Sequence, residues 1–172
     1  MDVLYSVRPE WCKLILEGRK TSEVRKTIPI KLIPTHMPFT GYIYCTKGTK
    51  ALITKENIYF LVDWNTVDVW KNKGFEVLNG RVVACFECWN IAPINKYYLF
   101  AYERVHFDET QIPRNDLEKY IGSACAYAIF FDYLHIFVSK LTLENFYKPG
   151  YKEKIKKAPQ SWCYVDSLRI GD

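Results

Sequence analysis

The chain has 172 residues, with 24 Lys and Arg against 19 Asp and Glu for a net charge of +5, and its aromatic side chains are 5 Trp, 13 Tyr and 10 Phe. That length suits one ordinary domain and resists division into two independently stable units, while the aromatic excess excludes a disordered chain. Eight Gly and eight Pro, scattered without period, also exclude collagen-like and low-complexity architectures. The charge is unevenly spread: residues 1–50 hold nine basic and four acidic groups, 51–100 five and five, 101–147 four and seven, and 148–172 six and three. Both ends are basic and the middle is neutral to acidic.

No apolar run approaches the roughly 20 residues that span a bilayer, because the best stretches, Ala124–Phe131 and Tyr133–Val138, are interrupted by Asp132 and His135. From Met1-Asp2 to Arg8 and Glu10 there is no continuous apolar segment of the secretory kind, so a cytoplasmic, membrane-free protein is expected. Of the six cysteines, Cys12, Cys45, Cys85, Cys88, Cys125 and Cys163, only Cys85 and Cys88 lie close together, which suits reduced thiols.

In chain order, Asp2–Val7 is β-branched and aromatic and predicts a strand. Pro9 then suits a first helical turn, Trp11, Leu14, Ile15 and Gly18 fall at helical spacing, and a helix is predicted from Pro9 to Glu17. A tight turn at Gly18-Arg19-Lys20 leads to a second strand over Thr21–Thr27, followed by a loop with Pro29, Pro34 and Pro38. Gly41–Thr46 and Asn57–Val62 read as strands, and Asn79-Gly80 is a turn. From Arg81 to Ile91 the pattern alternates, with Val82, Ala84, Phe86 and Cys88 on one face and Val83, Cys85, Glu87 and Trp89 on the other. Residues 108–122 predict a loop and a short helix with Asn115 as N-cap, a stripe of Leu117, Tyr120 and Ile121, and Gly122 at its end. Tyr127–Val138 reads as one long strand, Leu141–Phe146 as a helical turn, 148–157 as a solvated Lys-rich loop and Gln160–Val165 as a closing strand. About six strands with two or three short helices, in no βαβ alternation, predict an α+β domain or a small barrel with helices packed on it.

The most informative segment is Gly18-Arg19-Lys20-Thr21-Ser22-Glu23-Val24-Arg25-Lys26. In an extended strand Glu23 and Arg25 share one face and Val24 points to the other. With Lys20 leaning over from the turn, a cation, a carboxylate and a guanidinium would converge beside a helix terminus.

Here the chain resembles the ASCH domain, a PUA-like β-barrel, through Gly18-x-Lys20-x-x-Glu23-x-Arg25. The likeness extends to the opening Leu4–Trp11, the strand Gly41–Lys47, Gly80–Cys88, the helix Leu117–Gly122, Tyr127-Ala128-Ile129 and Pro159–Val165, and is to the small stand-alone proteins of bacteria and their phages. Residues near 51–79 and 92–107 fit it least and are expected to be variable insertions in a single domain. The resemblance implies a mixed β-barrel whose cleft beside the signature turn binds RNA, a nucleotide or a modified base. Arg8, Lys20, Arg25, Lys26, Lys47, Trp162 and Tyr164 are the expected ligand contacts. Trp162 and Tyr164 alternate with Cys163, so their rings share a face and could stack on a base. Should the closing strand pair near the first, the basic ends, including Lys154, Lys156 and Lys157, would form one patch.

Two other function classes stand beside this binding module. A branch of the same family removes the acetyl group from N4-acetylcytidine with a lysine and a threonine of the signature and a separate glutamate. Lys20 matches the lysine, but Glu23 stands where that branch has threonine, with Thr21 and Ser22 nearby. Ribonuclease activity is also attributed to family members, so the hydrolase reading has Lys20 as base or nucleophile, Glu23 as proton shuttle and Thr21 in support. The third class is an interaction protein of phage or mobile-element origin. No cofactor is expected: Cys85 and Cys88, three apart on a strand, point to opposite faces, and His36, His106 and His135 are isolated.

Overall fold

The computed structural model describes residues 1–95, 109–122 and 124–168. These form eleven strands: β1 (Asp2–Val7), β2 (Ser22–Arg25), β3 (Phe39–Cys45), β4 (Ala51–Lys55), β5 (Ile58–Val62), β6 (Glu76–Val77), β7 (Arg81–Cys88), β8 (Ile91–Ile94), β9 (Ala126–Phe130), β10 (Asp132–Leu141) and β11 (Trp162–Val165). Three short helices accompany them, α1 (Pro9–Leu16), α2 (Val67–Asn72) and α3 (Arg114–Ile121). The α+β class agrees with the sequence; the count of six strands and the single barrel do not. The strands divide into a five-stranded sheet ordered β10-β7-β3-β1-β11 and two three-stranded sheets, β2-β9-β8 and β5-β4-β6, and do not close into one barrel. None of the helices among the described residues is long and apolar enough to cross a membrane.

β1 is buried along its whole length, as a strand flanked on both sides must be. It runs parallel to β3, with Val3 beside Gly41 and Val7 beside Cys45, and antiparallel to β11, with Asp2 beside Val165 and Tyr5 beside Trp162. The first and last strands therefore pair, as a joining of the two basic ends requires. A parallel pair needs a crossover, and α1 with β2 lies in the chain between β1 and β3. Pro9 opens α1, and the helix buries Cys12, Ile15 and Leu16 while Trp11 and Leu14 stay half-exposed.

Three local expectations are corrected. The run 127–138 is two strands in different sheets: β9 pairs with β2 and β8, whereas β10 pairs with β7. Phe131 at the junction packs its ring 4.3 Å from that of Phe86, and Tyr133 adopts φ +50°, which an unbroken strand would not contain. In β7 a bulge between the pairs Ile43/Ala84 and Tyr44/Val82 leaves Val83 as an extra residue. Val82 then joins Tyr42 and Tyr44 in an outer cluster while Val83 turns to the central core with Ala84, Phe86 and Cys88. Asn115 lies inside α3, which Pro113 precedes and Gly122 closes at φ +61°.

The central core gathers Val3, Tyr5, Ile15, Ile43, Phe86 and Ile129, and a second cluster of Val24, Ile94, Leu117 and Ile121 lies under α3. Residues 51–79 supply the β5-β4-β6 sheet and α2, and their Leu52, Tyr59 and Leu78 enter the central core. Of the expected insertion near 92–107, residues 96–107 lie outside the described residues.

Candidate ligand cleft

The site grows out of the end of α1. Gly18 takes φ +70°, with open space where a Cβ would stand, so glycine serves the backbone turn there rather than a close contact. The backbone N–H groups of Arg19 and Lys20 both donate to Leu14 O, winding the chain back under the helix. Lys20 consequently enters the interior: its side chain is fully buried, and Nζ donates to Thr110 O at 2.7 Å. The same nitrogen is 3.4 Å from Glu23 Oε2 and 5.3 Å from the centre of the Trp11 ring.

β2 then presents Glu23 and Arg25 on one face, as strand alternation requires. Arg25 Nη2 is 3.1 Å from Glu23 Oε1 and donates to Ser6 O at 2.5 Å, and Nη1 donates to Ser161 Oγ at 3.4 Å. One guanidinium thus ties β2 to β1 and to the segment leading into β11. Glu23 is shared between two cations, and with a side chain only 11 % exposed it is the anion that makes both tolerable away from water. Among the described residues Glu23 Oε2 and Arg25 Nε are buried without a hydrogen-bond partner. Glu23 Oε2 is nevertheless held by the Lys20 ammonium at 3.4 Å, so Arg25 Nε is the group of the pair without a partner.

Beside this pair opens a cavity of about 530 Å³. Glu23, Val24 and Arg25 form one side and Ser6 another, and Arg8 stands exposed at its edge. Trp11 from α1 and Tyr120 from α3 are its aromatic walls, while Thr46, Gln160 and Asp116 add polar groups. Asp116 makes the cleft mixed in charge rather than uniformly basic.

Of the sequence-predicted contacts, Arg8, Glu23 and Arg25 line the cavity. Lys20 pairs with Glu23 and is not a lining residue, and neither is Lys26, whose Nζ is 5.2 Å from the centre of the Tyr120 ring. Lys47 is exposed and follows the lining residue Thr46. Thr21 is exposed, with its backbone joined to Glu109 and Phe131. Trp162 and Tyr164 share a face but lie elsewhere: Trp162 Nε1 donates to Thr27 Oγ1 at 3.0 Å, Tyr164 Oη accepts from Lys31 N at 3.1 Å, and both rings pack on the central core. They hold the segment after β2 against β11 instead of lining the cleft. Trp11 and Tyr120, read from the sequence as members of core stripes, are the aromatic residues that line the cavity. Their signal was weak, since each sits at the polar margin of its helical stripe.

Burial, with a smaller contribution from the Arg25 charge, lowers the Lys20 amine pKa from its ordinary 10.5 against the opposing pull of Glu23. Between the lowered native value and 10.5 the unfolded chain holds a proton that the native state lacks, so stability rises with pH across that window. Urea unfolding of the wild type and Lys20→Met should therefore show the wild type gaining on the variant from neutral pH up to pH 10.5. A difference that stays flat would mean that Lys20 is hydrated.

The fold is that of solved ASCH proteins. The ASCH protein of Zymomonas mobilis, seen by crystallography, is 17 % identical with a TM-score of 0.60 over 96 % of this chain and 87 % of that one. A tyrosine-to-phenylalanine variant of the same protein is 16 % identical with a TM-score of 0.60, over 97 % of this chain and 91 % of that one. Its serine-to-alanine variant is 15 % identical with a TM-score of 0.59, over 97 % and 89 %. No protein-family model matches the chain, and no curated protein matches it.

Proposed function

We propose that the chain is an RNA- or nucleotide-binding module whose cleft receives a base between the Trp11 and Tyr120 walls, against Glu23 and Arg25. The supporting observation is a cavity of about 530 Å³, inside the range of small-molecule sites, in which the aromatic residues Trp11 and Tyr120 and the ion-paired Glu23 and Arg25 line one space. Arg25 donates to a carbonyl or phosphate, Glu23 accepts from a base amine, and Arg8 meets phosphate at the edge. Lys20 is a positioning residue that acts through Glu23. Titration with nucleoside monophosphates and short RNA at low salt should give saturable binding, weakened at least tenfold by Arg25→Ala and by Trp11→Ala. The absence of affinity for any of these ligands at low salt would refute the reading.

The buried Lys20 amine, lowered in pKa and 3.4 Å from a carboxylate that borders the cavity, favours a second reading as a hydrolase of RNA or a modified nucleoside. There Glu23 would carry protons between Lys20 and the ligand. Incubation with N4-acetylcytidine and with short RNA should then yield product with the wild type and none with a folded Lys20→Ala. Binding without turnover leaves the module reading alone.

A further inference from the structure

A second concavity of about 450 Å³ lies on the other side of the segment that borders the cleft: Gln160 lines the cleft and its neighbour Pro159 lines the second groove. The partition between them is thin and fixed, since Ser6, itself a cleft residue, donates from Oγ to Pro159 O at 2.6 Å. The groove runs between the Lys-rich segment 148–157 and β11, and Lys148, Glu153, Lys154, Lys156 and Lys157 line it together with apolar Ile155 and Pro159. Residues 148–157 hold five lysines and a single acid, Glu153.

Two of those charges are already engaged. Lys148 Nζ pairs with Glu153 Oε2 at 2.6 Å, and Lys154 Nζ stands 5.8 Å from the centre of the Tyr147 ring. Lys156 and Lys157 are exposed and have no ion-pair partner among the described residues. An isolated cationic surface of this kind is repulsive to itself, and neutralising it by phosphates releases counterions.

The geometry points to this groove as a backbone subsite: it takes the phosphates of nucleotides flanking the one whose base enters the cleft, so the natural ligand is a single-stranded polynucleotide and not a free nucleotide. The inference rests on the binding reading given under Proposed function. A strand leaving the cleft over residues 159–160 meets Lys156 and Lys157 directly, and no second aromatic pocket is needed because the groove supplies charge rather than base selection. An acidic protein segment would also satisfy the lysines but would leave the adjoining aromatic cleft unexplained.

The experiment compares uridine monophosphate with a single-stranded oligouridylate of about eight nucleotides, long enough to pass both sites, over a series of salt concentrations. The wild type should bind the oligonucleotide at least tenfold more tightly. Lys156→Ala/Lys157→Ala should remove most of that advantage, lower the slope of log affinity on log salt by about 1.4, at about 0.7 per phosphate contact on a single strand, and leave monophosphate affinity unchanged. Lys71→Ala/Lys73→Ala, at the C-terminal end of α2, removes the same charge elsewhere and should leave the slope intact. Equal slopes in wild type and Lys156→Ala/Lys157→Ala, an equal loss in the α2 control, or competition by polyglutamate as effective as by oligouridylate would each overturn the inference. Monophosphate binding with no gain for the oligonucleotide defeats this inference alone, and binding of neither ligand defeats the cleft reading and this one together. Oligonucleotide binding through Lys156 and Lys157 without monophosphate binding would mark a polyanion surface independent of the cleft and would overturn the inference.

Discussion

Glu23→Ala is expected to lower the unfolding free energy by about 3–5 kcal/mol, the usual consequence of removing one partner from a buried ion pair. Glu23 stands between Lys20 Nζ at 3.4 Å and Arg25 Nη2 at 3.1 Å, and the side chains of those cations are 0 % and 12 % exposed. Without the carboxylate two like charges face each other with little water to separate them. Each keeps other acceptors, Thr110 O for Lys20 and Ser6 O for Arg25, so the native state survives with a strained centre. Lys20 can relieve part of the cost by losing its proton, which makes the destabilisation smaller as pH rises. Glu23→Gln preserves shape and an acceptor for Arg25 and should cost less. Urea unfolding at two pH values measures all of this. A loss below about 1 kcal/mol for Glu23→Ala would place the pair in the range of exposed, screened salt bridges and would remove the desolvated character on which both functional readings draw.

Gly41→Ala is the second large effect, and it concerns the frame that holds the cleft. A Cβ at position 41 would lie 2.2, 2.5 and 2.8 Å from Cζ, Cε1 and Cε2 of Phe86, the residue directly opposite on β7. Phe86 is 2 % exposed and cannot move aside, with the Tyr5 ring 5.9 Å away on one side and Phe131 at 4.3 Å on another. The substitution should therefore cost at least the upper part of the about 1–3 kcal/mol typical of overpacking. Phe86→Ala alone should cost about 3–5 kcal/mol through the cavity it opens. Because the new methyl fills part of that cavity, the double variant should be less destabilised than the sum by up to about 3 kcal/mol. Strict additivity in urea unfolding would show that the ring and the glycine do not share this space. The functional link is direct, since β3 leads to Thr46 and pairs with β1, which carries Ser6 to the cleft edge.

Much of the site was legible locally. Strand alternation alone puts Glu23 and Arg25 on one face, and Pro9 and Gly18 bound a short helix whose exit turn delivers Lys20 to the same neighbourhood. The segment charges pointed to both ends of the chain; β1 pairs with β11, but the basic tail lines its own groove and no basic residue of it lines the cleft. What remained illegible involves residues far apart in sequence. Trp162 and Tyr164 alternate as expected, yet the side their shared face turns to depends on the core and on the segment containing Thr27 and Lys31, which claim those rings. Tyr120 becomes a cleft wall only because α3 packs over Val24.

The net charge of +5 was too small to imply a polyanionic partner, and its distribution over the two ends was the most that composition could state. Residue patterning determines which side chains are neighbours along a strand or helix, because backbone geometry repeats every two or 3.6 residues. It also sets the α+β class and the signature turn. The tertiary structure decided the rest: that Lys20 is sealed from solvent by a carbonyl from residue 110, that the basic tail lines its own groove beside the cleft, and that the strands form three sheets. Burial and desolvation are produced by packing between distant segments, and no local period encodes them.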